Sequence, residues 1–179
     1  MAKESGKSII ILVILTILIM IGVGVIISYA KQMMEETKAQ DLKTDMLLVQ
    51  AEAKKGLEEV CFRTVNLDKN KEEDLVKINE IKQEFLKGTI ITNSPDEVQE
   101  AIKNVPEVNF DENCYYLDEG ILTGMGITNI SQKEYGYFIV KYDFSNGNLE
   151  IINTKGYEGK YTLTQIIETI DDNQEWERT

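Results

Sequence analysis

Hydrophobic and polar positions divide this chain into three unlike stretches. From Ser8 to Tyr29 no charged residue occurs. At ~1.5 Å per residue such a run spans ~30 Å in a helix, about the hydrocarbon thickness of a bilayer. From Lys31 to Arg63 the apolar residues thin out to a helical spacing. Leu42, Met46, Val49, Ala53, Leu57 and Val60 recur at steps of three and four, with Glu, Lys, Gln and Asp between them. That is the single stripe of an amphipathic helix. No Pro-, Gly- or Ser-rich hinge separates the two stretches, and Gly56 alone interrupts the second. The pattern predicts one helix from about Ser8 to about Phe62, apolar on every side at first and on one side afterwards.

Beyond it lies VNLDKNKEED, read as a polar loop. Leu75, Ile78, Ile81 and Phe85 predict a second helix closed by a glycine cap at Gly88. SPDEVQEAIKNV predicts a third. Its expected cap is Ser94, with Pro95 in the first turn and Glu97 at the capping-box spacing. Val98, Ala101, Ile102 and Val105 form its buried face, and Pro106 ends it. From Asn113 the period changes. CYYL reads as a short strand, and DEGILTGMGITNI as a short helix and turn. YGYFIVKYDF alternates at period two, SNGN supplies a hairpin turn, and LEIIN returns as the next strand. KGYEGKYTL adds a further strand and TQIIETI a helical tail. The predicted class is α+β, a long N-terminal helix packed on a small antiparallel sheet.

Composition narrows the function. The 31 acidic residues outnumber 19 basic ones, for a net charge of −12. A nucleic-acid partner is not expected, because phosphate contacts need a basic patch. There is no histidine. That removes Ser-His-Asp and Cys-His catalysis and the commonest zinc ligand. No catalytic group, metal site or cofactor motif is assigned, and an enzyme is not expected. DFSNGNLE lacks the acid and glycine spacing of an EF-hand and is read as a hairpin. Asp111, Glu112, Asp118 and Glu119 form an acidic cluster, read as a solvated loop. Seven of the eight tyrosines fall between Tyr115 and Tyr161, where they suit half-buried strands. Cys61 and Cys114 both lie beyond the apolar run. Outside the cell a disulfide between them is chemically permitted; the alternative is two small buried thiols.

Orientation follows from the flanks. Lys3, Lys7 and the amino terminus precede the apolar run, so the N-terminus is expected in the cytoplasm and the remainder outside. The run is too long for the apolar core of a cleavable secretory signal, about 7–15 residues. Gly22 and Gly24 are two apart and make no GxxxG face. They mark either ordinary glycine in a membrane helix or a point where the helix bends.

A short charged leader ending in glycine, an uninterrupted helix with an apolar first half, and a small sheet together resemble the type IV pilins and the pseudopilins of type II secretion systems. The residues that carry the likeness are Gly6-Lys7-Ser8-Ile9-Ile10-Ile11-Leu12-Val13 with the helix behind them. GYFIVKYDFSNGNLEIINTKGYEGKYTL also looks like the terminal hairpin of pilin-like proteins from clostridia and their relatives. The resemblance implies a leader over 1–6, cut between Gly6 and Lys7, with Lys7 as the new and methylated N-terminus. It implies a transmembrane half of the helix over 7–30, an amphipathic half over 31–63 and an extracellular α+β head over 64–179. Ile9, Ile10, Ile11, Leu12, Ile14, Ile21, Gly22, Gly24 and Ile27 would belong to the assembly helix. Implied partners are other pilin subunits, of the same or different kind, a prepilin peptidase, an assembly ATPase with its platform protein, and the membrane. Lys7 stands where the family usually has an apolar residue, and Ile11 where it usually has glutamate. The alternative reading is an uncleaved, single-pass protein whose outer domain binds or senses a ligand.

Overall fold

In a computed structural model the backbone is described for residues 2–106, 108–128 and 131–176. Side chains are described at 16, 20, 21 and across 23–172 apart from 107, 129 and 130. The chain divides into two units, Met1–Gln40 and Asp41–Thr179. Helix α1 (Ala2–Thr64) accounts for the described part of the first unit and opens the second. Within the second unit, Met46, Val49, Ala53, Leu57 and Val60 are buried, as their spacing predicts. Leu42 is half-buried.

Helix α2 (Glu72–Phe85) buries Ile78. It carries Glu72, Glu73 and Asp74 in its first turn, where carboxylates oppose the positive end of the helix dipole. The helix does not extend to a glycine cap at Gly88. Leu86 turns extended directly after Phe85 and leads the chain into a strand. Gly88 is needed for another reason. Its φ is +112°, and a Cβ there would lie 2.6 Å from the Tyr116 carbonyl oxygen. Gly56 has a similar duty on α1, where a Cβ would run into the Phe85 carbonyl oxygen. The smallest side chain lets α1 and the end of α2 approach closely.

Strand β1 (Thr89–Ile90), a two-residue strand with no periodic signal, starts the sheet. A single turn of 3₁₀ helix (Ile91–Asn93) and α3 (Asp96–Ile102) follow. The capping box expected at Ser94 does not form. The Ser94 hydroxyl instead donates to the Ile91 carbonyl at 2.7 Å and accepts from Gln99 Nε2 at 3.0 Å, and Pro95 becomes the N-cap. Ser94 is spent closing the preceding turn. The helix stops at Ile102, ahead of Pro106.

Then come β2 (Cys114–Leu117), α4 (Glu119–Gly124), α5 (Gln132–Tyr135), β3 (Phe138–Asp143), β4 (Asn148–Tyr157), β5 (Lys160–Thr162) and α6 (Leu163–Trp176). The five strands form an antiparallel meander in chain order. Strict alternation was expected along β3, but Phe138, Ile139 and Val140 are all buried. Continuous burial means that both faces of the sheet are covered. On one face Ile91, Val98, Val105, Cys114, Tyr116, Ile139 and Ile152 form a cluster that includes α3. The other face carries Leu117, Phe138, Val140 and Ile151, each at zero exposure. Helix α6 packs on β4 and β5.

The turns are assigned differently from expectation. Asn146–Gly147 does not make a two-residue turn. Four residues, Phe144 to Gly147, join Asp143 to its partner Asn148, and only Gly147 in the loop has positive φ, +66°. The Asp143 carboxylate causes this, taking hydrogen bonds from the Ser145 and Asn146 amides at 2.9 and 3.3 Å. Such a side-chain bracket favours a right-handed turn. The two-residue turn with both φ values positive lies one hairpin later. Glu158 and Gly159, at +49° and +74°, connect the Tyr157–Lys160 pair.

Candidate assembly surface

The first unit exposes an unusual helix surface. Met20, Ile21, Val23, Val25, Ile26, Ile27 and Tyr29 are all exposed, Met20 at 70% and Ile26 at 69%. At ~100° per residue these positions point in every direction around the axis. A helix that is hydrophobic all round suits burial in a core or a bilayer. Below Tyr29, Met33 and Met34 are also exposed, but Lys31, Gln32, Glu35 and Glu36 intervene. Gln32 Nε2 donates to Glu36 Oε1 at 3.0 Å there, marking a shift to hydrated surface.

Among the expected assembly residues, Ile21 and Ile27 are exposed, at 59% and 51%. Nothing lies within 4 Å of a Cβ built on Gly24. The Ser28 hydroxyl donates to the Gly24 carbonyl at 3.0 Å, one turn back. Such back-bonding slightly weakens a helix, while α1 runs through Gly24 as one continuous helix, so both readings of this glycine stand. Gly6, Lys7, Ile9, Ile10, Ile11, Leu12, Ile14 and Gly22 carry side-chain positions outside the described residues. Among the described residues no helix is long and apolar enough to cross a membrane. Most of the Ser8–Tyr29 run falls outside that description.

In the second unit the outward side of α1 also bears apolar side chains. Phe62 is 78% exposed, and it lies about 180° round the helix from the stripe of Met46, Val49, Ala53, Leu57 and Val60. Leu47 and Leu48 are part-exposed and Val65 follows at 73%. The sequence pattern puts Phe62 at the end of the predicted helix. Its position opposite the buried stripe was a readable signal.

The charged clusters have structural duties. Asp111 accepts from the Asn113 amide at 2.8 Å, and Asp118 caps α4 by accepting from the Ile121 amide at 2.9 Å. Glu119 accepts from the Gln132 amide at 3.3 Å. Among the described residues no group of three or more His, Cys, Asp or Glu is placed to hold a metal ion. Glu97 takes the Lys133 ammonium at 3.0 Å and the Tyr137 hydroxyl at 3.4 Å. The Lys133 hydrogen bond holds the Glu97 carboxyl below its usual range. The pair is exposed and anchors α5 to α3 at the surface.

Cys61 and Cys114 are free thiols. Cys61 is half-buried on α1, whereas Cys114 has no exposure in β2. Burial pushes the Cys114 thiol up to about 11. The structure therefore places the two sulfurs in different surroundings and leaves them unlinked.

No family model, no curated protein and no solved structure matches this chain.

Proposed function

We propose that this chain is a structural subunit of a type IV pilus-like filament or a type II secretion pseudopilus. The observation that carries the reading is the apolar surface of α1 on every side between Met20 and Tyr29. A surface of this kind is stored in lipid and then buried among helices of other subunits, two environments of similar polarity. The second unit is an acidic α+β body that supplies the outer, solvated part. Lys3 and Lys7 would keep the N-terminus cytoplasmic, with the body outside the cell. A prepilin peptidase cutting after Gly6, an assembly ATPase with its platform protein, and other pilin subunits are the partners this reading requires. Methylation of the new N-terminus belongs to the same step.

The experiment is N-terminal sequencing of surface-exposed protein recovered from its own host, with shearing to separate filaments from cells. Lys7 at the first cycle, in the sheared fraction, is the expected result. Met1 or Ala2 at the first cycle, with all protein retained in the membrane, would overturn the proposal. That outcome selects the uncleaved single-pass binding domain, which Lys7 and Ile11 favour by departing from the family pattern.

A further inference from the structure

We infer that Asn146–Gly147 is a self-modification site, where the chain converts its own asparagine to aspartate and isoaspartate at a rate that Asp143 restrains. The inference is independent of filament assembly. It rests on the loop between β3 and β4, in which Ser145, Asn146, Gly147 and Asn148 are all exposed. Glycine after asparagine leaves the attacking amide nitrogen unshielded by any Cβ, and nothing lies within 4 Å of the place a Gly147 Cβ would occupy. Water and hydroxide reach the amide freely.

The chemistry needs only water. The Gly147 nitrogen gives its proton to hydroxide and attacks Asn146 Cγ. A C–N bond forms, the bond from Cγ to Nδ2 breaks, and ammonia leaves with a proton from water. The cyclic imide that results is opened by water at either carbonyl. One opening yields aspartate; the other yields isoaspartate, whose main chain is one carbon longer.

Asp143 opposes this in two ways. Its Oδ2 accepts from Asn146 Nδ2 at 2.8 Å and its Oδ1 accepts from the Asn146 amide at 3.3 Å, which fixes the side chain. The carboxylate also accepts from the Asn146 amide, one peptide before the Gly147 nitrogen that must become an anion. Hydrogen bonds from Ser145 and Asn146 hold the Asp143 carboxyl below its usual range, so it stays ionised at neutral pH. Conversion places a second carboxylate beside Asp143 and removes the Nδ2 donor. The isoaspartate product also disturbs the Asp143–Asn148 pairing that closes the hairpin.

The test is peptide mapping by mass spectrometry of the full chain, incubated in mildly alkaline buffer, with and without urea. Asn146→Gln identifies the modified peptide and remains unconverted. Unfolded wild type is expected to convert about tenfold faster than native wild type, the effect of losing a charge-assisted hydrogen bond. Asp143→Ala and the near-isosteric Asp143→Asn are each expected to convert, in the native state, close to the unfolded rate. In urea all three should convert alike. Native Asp143 variants that convert at the wild-type rate would overturn the restraint, and absence of product from the unfolded chain would overturn the site.

Discussion

The Tyr116 hydroxyl donates to Gln132 Oε1 at 2.7 Å, tying the central part of the sheet to the short helix α5. Gln132 passes the interaction on, since its Nε2 donates to the Leu117 carbonyl at 2.6 Å. Both side chains are buried, with Gln132 at 2% exposure. Replacing Gln132 by leucine leaves the Tyr116 hydroxyl and the Leu117 carbonyl without their partner. Stability is expected to fall by about 1–3 kcal/mol, measured by urea denaturation of the full chain in detergent. Tyr116→Phe combined with Gln132→Leu should cost less than the two single losses added together, because each single change strands the other group.

Alkaline stability should follow the buried tyrosines. Burial, aided by Asp118 and other nearby groups, pushes Tyr116 up to about 12 from an ordinary value of 10.0. Burial also raises Tyr115 and Tyr142. Each folded-state value exceeds the unfolded one, so the unfolded chain loses these protons first. Their contribution is complete below pH 10 and fades as pH climbs towards 12. The urea midpoint is expected to drop steadily across that window. Tyr116→Phe should flatten the slope, and an unchanged slope would show that Tyr116 plays no part.

The two thiols should react in order. In the native protein iodoacetamide should modify Cys61 and spare Cys114, whose thiol burial holds at about 11. Thiolate, not thiol, is the reactive form. Full unfolding should equalise the two, as read by mass spectrometry of the alkylated peptides.

The strained turn at Glu158 offers a stabilising change. A non-glycine residue at φ +49° carries a steric cost of about 1–2 kcal/mol. Glu158→Asn keeps a side chain that tolerates this region and should raise the unfolding free energy by about 0.5–1 kcal/mol. Gly156→Ala should do the opposite. Its φ is +61°, and a Cβ would collide with the Lys160 carbonyl oxygen inside the same hairpin.

Two neighbouring positions on α1 should separate the buried stripe from the outward side. Met46→Ala removes a side chain of zero exposure and should cost about 2–5 kcal/mol. Leu47→Ala, one residue on and 40% exposed, should change stability by at most ~0.5 kcal/mol. Val25→Asp with Ile26→Asp should leave the urea transition of the second unit in place while lowering partition of the full chain into phospholipid vesicles.

Hydrophobic pattern and local residue preference together determined the main elements of this protein. The stripe from Met46 to Val60 was readable because a half-buried helix needs an apolar face of matching period. CYYL, buried at all four positions, was readable instead as a short run of strand-favouring residues between polar segments. Local chemistry was less decisive wherever one side chain had two partners to choose between. Ser94 closes a 3₁₀ turn and leaves α3 to Pro95, and Asp143 captures the amides that a tighter Asn146–Gly147 turn would have left free. Tertiary structure decided which glycines serve as close-approach points, Gly56 against Phe85 and Gly88 against Tyr116, since that depends on segments distant in the chain. It also decided that β3 is buried on both faces and that Gln132 sits inside the fold. Those outcomes reflect which layers cover the sheet, a property of the whole packing that no local period encodes.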